Sequence, residues 1–439
     1  MITSKHKELA LWAKDFLLKN KVQACRIGIY SGTDRTFEIR DNHIEHLQQA
    51  EENQLIAYLF VEGRYGSFST NRLEHDELET FFRQSIASTR LLAVDEARQL
   101  PDPTRCFHGN DQFLSLYDPQ LSIMDADEKL QLAFAAAHEV DRTDPRIISV
   151  ASSYGDNEIF TYLVDSNGLE AESASSSCGL SVSVSVKGEG DARPESYWYD
   201  QSVDWESLSK TGIGTKALQR TLMKIGQRKI QSGVYSTVID APEVRTLLSP
   251  LLNAMYGASI QQNNSFLKDK IGQQVASECF TLTDDPIIPK TIGARCFDGE
   301  GMALRPMTLF SNGILQHYYI DTYHAHKLHV EPTTGSPSVL RFALGNVNLE
   351  GLLRQMDRGI YITGFNGGNC NSSTGNFSYG IEGFWVENGV IQYPISEMNI
   401  TGNLLTLWSR LLAVGNDPFM ASGWQTPTLL FEGADFSGL

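Results

Sequence analysis

The sequence has no Cys-x-x-Cys pair, no run of Lys and Arg, and no stretch near the roughly 20 apolar residues a membrane-spanning helix needs. Six cysteines (Cys25, Cys106, Cys178, Cys279, Cys296, Cys370) are scattered through 439 residues, which excludes a disulfide scaffold and a zinc-finger spacing. The opening residues, Met1-Ile-Thr-Ser-Lys-His-Lys-Glu, lack the apolar core of a secretory leader. The expectation is a reduced, cytoplasmic protein without a membrane segment. In that setting the Asn-x-Ser/Thr triplets at Asn263, Asn371, Asn376 and Asn399 carry no glycosylation meaning.

Positive charge is also scarce. Lys plus Arg is 36 against 53 Asp plus Glu, a net charge of −17. So acidic a chain repels phosphate backbones, and no nucleic-acid partner is expected. The Gly-x-Ser-x-Gly elbow, the P-loop and His-Glu-x-x-His are all missing, which removes the usual serine-hydrolase, NTPase and zinc-protease signatures. His138-Glu139 is the one His-Glu pair, and it reads as a surface pair near the end of a helix over 127–140.

What is present is globular. Hydrophobic residues make up 41%, enough for a sizeable core, and the length suits two or three domains. Residues 4–20 carry Leu9, Leu11, Trp12, Phe16 and Leu17 at helical spacing, and a second helix is expected over 74–92. Between them lie β-type runs over 22–30, 36–40, 54–61 and 67–70, punctuated by Ser31-Gly32 and Glu62-Gly63. Further strands are expected over 147–154, 159–165 and 169–186, with a turn at Gly155-Asp156-Asn157. Leu180, Val182, Val184 and Val186 alternate with Ser181, Ser183 and Ser185, a strand half buried and half wet. A helix over 205–226 closes the first half. Asn167-Gly168, Asn312-Gly313 and Asn388-Gly389 predict three hairpins, because Asn-Gly accepts the positive φ angles of a type I′ turn. The fold class is α+β: an amino-terminal domain of mixed sheet with helices over 1–230, then a mainly antiparallel β domain over 231–439.

Three stretches could carry chemistry. Gly212-Ile-Gly214 resembles a dinucleotide fingerprint, but Asp204-Trp-Glu-Ser-Leu-Ser-Lys-Thr211 before it is no apolar strand, so it is rejected. His324, His326 and His329 form the densest histidine cluster. Three imidazoles suffice for a catalytic zinc, yet neither a helix nor a strand presents all three on one face. The glycine-rich run over 364–383 could lie against a bound peptide through Gly367, Gly368 and Cys370, or serve as a glycine-permitted turn between strands. Cys370 has no histidine nearby in sequence to activate it.

The second half carries an ordered series of motifs. It runs through Asp284-Asp285-Pro286, Phe297-Asp298-Gly299-Glu300-Gly301, Ser311-Asn-Gly-Ile-Leu315 and Asp321-Thr-Tyr323. It continues with Phe377-Ser-Tyr-Gly-Ile-Glu-Gly-Phe-Trp385, Tyr393-Pro-Ile-Ser-Glu397, Thr401-Gly-Asn-Leu404 and Val414-Gly-Asn-Asp417. Together these resemble the TldD/PmbA family, named as modulators of DNA gyrase, over residues 236–435. The resemblance implies a cytoplasmic metalloprotease system of two related subunits. One type bears a His-Glu-x-x-x-His helix and a late cysteine that complete a zinc site; the other lacks them and pairs with the first. The metal helix should fall just before Ser265-Phe-Leu-Lys-Asp-Lys-Ile-Gly272, where this chain reads Leu248-Ser-Pro-Leu-Leu-Asn-Ala-Met-Tyr-Gly257. Neither that stretch nor Phe419-Met-Ala-Ser-Gly-Trp-Gln-Thr-Pro427 offers the ligands.

The chain thus resembles the PmbA (TldE) type. That resemblance implies a non-catalytic subunit that binds no metal itself, pairs with a zinc-bearing TldD-like partner, helps hold unfolded peptide, and forms a homodimer when isolated. Two other readings stay open: a self-contained metallopeptidase with its metal relocated to the histidine cluster, and a regulatory protein-binding module linked to DNA gyrase.

Overall fold

The structure, a computed structural model, describes residues 2–438. The first half is one seven-stranded sheet with helices on one face. Its order from one edge is Arg64–Thr70, His43–Val61, Ala24–Arg40, Ile147–Asp165, Glu170–Val186, with His108–Asn110 and Glu195–Ser202 both pairing with the last of these. Every pairing is antiparallel except His108–Asn110 against Glu170–Glu172, so the sheet is mixed.

The strands are longer than local residue preferences predict. Ser31-Gly32 does not interrupt Ala24–Arg40, and Gly155-Asp156-Asn157 is no turn but the middle of Ile147–Asp165. The reason is two-sided pairing: Gly32 lies opposite Glu52 on one side and Ile159 on the other, and Gly155 lies between Thr36 and Gly179. A residue held from both sides stays extended whatever its turn preference. Asp156, which reads as a turn residue, is buried between Arg35 Nη1 at 2.8 Å and Lys129 Nζ at 2.7 Å.

Side-chain alternation gives this sheet two unlike faces. On one, Cys25, Ile27, Leu55, Ala57 and Leu59 pack under helices Ser4–Lys19 and His75–Thr89. Further along that face, Val150, Tyr154, Leu180, Val182 and Val184 pack under helices Ala126–His138 and Ile213–Leu222. The opposite face holds a groove of about 480 Å³ floored by small residues, among them Ser153, Gly155, Asn157, Ser177, Gly179 and Ser181.

The helix expected over 205–226 is shorter, Ile213–Leu222, starting after Gly212 at φ +85°. Gly214 lies within it against the preceding helix: a Cβ there would sit 2.3 Å from the Ala136 carbonyl oxygen. Glu139 is no idle surface residue, since its carboxylate accepts from the backbone N–H groups of Gly212, Gly214 and Thr215. It satisfies the otherwise unpaired donors of that helix start.

The second half is built on a six-stranded sheet. Its order is Val390–Asn403, Asn376–Glu387, Gly359–Cys370, Gly233–Ile239, Leu429–Ser437, Leu411–Val414. Val390–Asn403 also pairs with Leu429–Ser437, so five of the strands close into a ring. One pairing is parallel, Gly359–Ile362 beside Ser236–Ile239; the rest are antiparallel. A small five-stranded sheet packs beside it through Phe280, Phe310 and Trp408, all fully buried. Two Asn-Gly hairpins have the expected two-residue form, with φ +48° and +78° at Asn312-Gly313 and +53° and +70° at Asn388-Gly389. The third, at Asn167-Gly168, is a longer turn in which the Asp165 carboxylate accepts from the N–H groups of Asn167 and Leu169.

The halves share a core. Leu114, Leu163, Leu169 and Val203 from the first pack with Ala294, Cys296, Phe297 and Val339 from the second. No helix among the described residues is long and apolar enough to cross a membrane.

Candidate functional site

The segment where a metal helix is expected is indeed helical, Val244–Asn253 with Tyr256 and Gly257–Gln261 after it. Its inward face is Val244, Leu247, Leu248, Leu251 and Leu252, all buried in the main core of the second half. Leucine supplies no lone pair, so a zinc ion does not fit there. Among the described residues, no group of three or more His, Cys, Asp or Glu side chains is placed to hold a metal ion.

The histidine cluster diverges as its spacing predicts. His324 and His326 lie on the helix Thr322–Leu328, and His329 comes directly after it with φ +56°. The Nδ1 of His324 is 2.7 Å from Asp321 Oδ1, whereas the Nδ1 of His326 is 2.9 Å from the Ala97 carbonyl. Both are half-buried and each is engaged by a different neighbour.

The glycine-rich run forms a strand end rather than a compact turn. Gly359–Cys370 pairs along its length with Asn376–Glu387, through register shifts at Ile362/Gly364 and Phe365/Gly368. On its other side it pairs with Gly233–Ile239 only as far as Ile362. Beyond Ile362 that neighbour turns away into Ala241–Glu243, which leaves one edge of 363–370 without a strand among the described residues. Such an edge presents unpaired N–H and C=O groups able to accept another extended chain. Asn366 to Asn369 are exposed. Gly367 and Gly368 have φ +79° and +118°; a Cβ on Gly367 meets open space, while one on Gly368 would lie 2.2 Å from the Ser378 carbonyl. Burial raises the Cys370 thiol above its ordinary range, the opposite of an activated nucleophile.

At the inner end of this edge is a cleft of about 170 Å³ between the two halves. Tyr197, Trp198 and Tyr199 wall it from the first sheet, Thr363 to Asn366 from the strand edge, and Pro242 and Glu243 from the turn before the leucine-faced helix. Arg220 Nη1 bonds Asp240 Oδ2 at 2.9 Å, and Arg220 Nη2 donates to the Thr363 carbonyl at 3.3 Å. Lys224 pairs with Glu382 and donates to the Glu195 carbonyl at 2.8 Å. Lys216 Nζ stands 3.5 Å from the centroid of the Trp198 ring. Among the described residues, the Glu243 side chain alone of these carboxylates has neither ion pair nor hydrogen bond. Burial, reinforced by the neighbouring Asp240 carboxylate and opposed by Arg220, pushes it up to about 7.

Sequence reasoning locates the strand end but not the cleft. Tyr197-Trp198-Tyr199 is a visible aromatic triplet, yet nothing in Ala241-Pro242-Glu243 signals that this one glutamate is half-buried without a partner among the described residues.

Three models of one family match successive parts of the chain. They are PmbA/TldA metallopeptidase domain 1 over residues 25–89, the central domain over 119–225 and the C-terminal domain over 232–438. The chain belongs to the PmbA/TldD family. A crystal structure from Bacteroides thetaiotaomicron VPI-5482, described as a modulator of DNA gyrase, is 51% identical, with a TM-score of 0.97 over 100% of both chains. "Metalloprotease PmbA" of Escherichia coli O157:H7 is 29% identical over 434 residues, 96% of this chain and 94% of that protein. TldE from Thermococcus kodakarensis is 21% identical with a TM-score of 0.82 over 98% of this chain and 99% of that one, a likeness of fold.

Proposed function

We propose that this chain is the non-catalytic subunit of a TldD/TldE-type cytoplasmic metalloprotease, holding unfolded peptide in extended form beside a zinc-bearing TldD-type partner. The observation that carries the reading is the leucine face of helix Val244–Asn253, which fills the place where the family resemblance puts metal ligands. Zinc chemistry is left to the partner, because two imidazoles and a general base have no substitute among leucines. The open edge of 364–370 supplies the peptide-holding part, with backbone hydrogen bonds that accept many sequences. In isolation the chain pairs with a second copy of itself.

The test mixes the purified chain with a TldD-type subunit and an unfolded peptide, and reads fragments by mass spectrometry. Cleavage is expected only when both subunits are present. Undiminished cleavage by the partner alone overturns the reading, as does stoichiometric zinc retained by this chain when purified without chelator.

A further inference from the structure

We infer that the cleft at the inner end of the 363–370 edge receives a primary ammonium group of the docked peptide, with the Glu243 carboxylate as its counter-ion. The inference rests on the peptide-holding reading above and names what the cleft recognises.

The charges in the cleft are already matched, with one exception. Asp240 is bonded to Arg220 and Glu382 to Lys224, which leaves Glu243 as the carboxylate without a cation of its own. A half-buried carboxylate is costly to ionise unless a partner replaces the water it has lost. A ligand cation does that, and an ammonium brings three donors to a site rich in acceptors. The walls suit the same guest. The Trp198 face is occupied by Lys216 and by Arg220, whose Cζ lies 5.1 Å from the ring centroid, but no cation lies over the rings of Tyr197 or Tyr199 among the described residues. Tyr199 is packed between Tyr197 and Phe419, so it is the exposed Tyr197 ring that can take a share of the guest's charge.

The location fixes which part of the peptide arrives. Arg220 already occupies the Thr363 carbonyl, so strand addition is blocked there and proceeds outward from Gly364. A chain paired along that edge therefore ends, or turns a side chain inward, at the cleft. The volume of about 170 Å³ has room for one terminal residue or one lysine arm, not for a folded ligand. An α-amino terminus and a lysine ε-amine share the chemistry.

Binding is expected to strengthen as Glu243 ionises. The tyrosines and Arg220 facing the cleft do not mimic this. Burial pushes Tyr197, Tyr199 and Tyr361 up, away from neutrality, and Arg220 is raised by its Asp240 partner against the cost of burial. Asp240, Glu382 and Lys224 are held in their ion pairs.

The experiment measures fluorescence anisotropy of three unstructured peptides labelled at the carboxyl end. One has a free amino terminus and no lysine, one is N-acetylated without lysine, and one is N-acetylated with a single lysine. On the unmodified protein, the first or third is expected to bind about tenfold tighter than the second, the size of one charge-assisted bond. The gap should widen from pH 6 to pH 7.5. The winner identifies the source of the amine, and Glu243→Gln should remove the preference. Equal binding of all three overturns the inference and leaves strand addition standing, as does a preference that survives Glu243→Gln. Binding of none overturns the peptide-holding reading and this inference with it. The acetylation comparison needs no variant, so a poorly folding Gln protein does not spoil the test.

Discussion

At the scale of single residues, Glu243 is held where its charge costs stability. Its folded-state value of about 7 stands above the ordinary 4.5 for a glutamate, so the folded chain keeps the proton more tightly than the unfolded chain does. Its contribution to stability is fully present below about pH 4.5 and is lost as pH rises through about 7. Glu243→Gln should therefore match the natural protein at pH 4.5 and exceed it at pH 8. Each pKa unit corresponds to about 1.4 kcal/mol, which gives a gain of roughly 1–3 kcal/mol. Urea unfolding at the two pH values checks this, and a variant less stable at pH 8 would show that the carboxylate is structural. Paired with a loss of amine preference, a gain in stability is the mark of a residue kept for binding.

At the scale of elements, the packing of helix Ile213–Leu222 on Ala126–His138 depends on a missing side chain. Helix propensity alone says that Gly214→Ala should stabilise by up to about 1 kcal/mol. The close approach says the reverse, because the new Cβ would meet the Ala136 carbonyl oxygen at 2.3 Å, and backbone cannot step aside cheaply. Overpacking wins, with an expected loss of roughly 1–3 kcal/mol, read as a lower urea midpoint at unchanged m. The same two glycines look like a dinucleotide fingerprint in sequence. Their use here is different: Gly212 takes the left-handed start and Gly214 the contact, with Glu139 as the anion the helix start receives.

At the scale of the whole molecule, the two halves are joined by a shared apolar cluster and by ion pairs. Leu163 and Leu169 pack with Phe297 and Val339, Lys327 reaches Asp95 at 2.8 Å, and Arg105 reaches Glu331 at 2.9 Å. The exposed Arg105–Glu331 pair contributes little, whereas the buried cluster and the largely buried Arg220–Asp240 and Lys224–Glu382 pairs at the cleft couple the halves. Calorimetry is expected to show one unfolding transition rather than two. Two resolved transitions would mean that the cleft walls unfold independently.

Much of the fold is legible in pattern. The alternation of Leu180, Val182, Val184 and Val186 with serines predicts a two-faced strand, and Asn312-Gly313 and Asn388-Gly389 predict hairpins of the form observed. These are local consequences of pleat and of backbone freedom, carried by neighbours in sequence. Where pattern misleads, at Ser31-Gly32 and Gly155-Asp156-Asn157, strands from elsewhere in the chain override turn preference on both sides.

The sequence by itself determined the α+β class, the ordered family motifs and the leucines that stand where the family resemblance puts metal ligands, because each is a property of residue type and order. Tertiary structure alone decided which edge stays open, since that depends on where Gly233–Ile239 stops beside Gly359–Cys370. It also decided that Glu243 is half-buried without a partner among the described residues while Asp240 and Glu382 gain partners, because desolvation is set by what packs around a group and not by its neighbours in the chain.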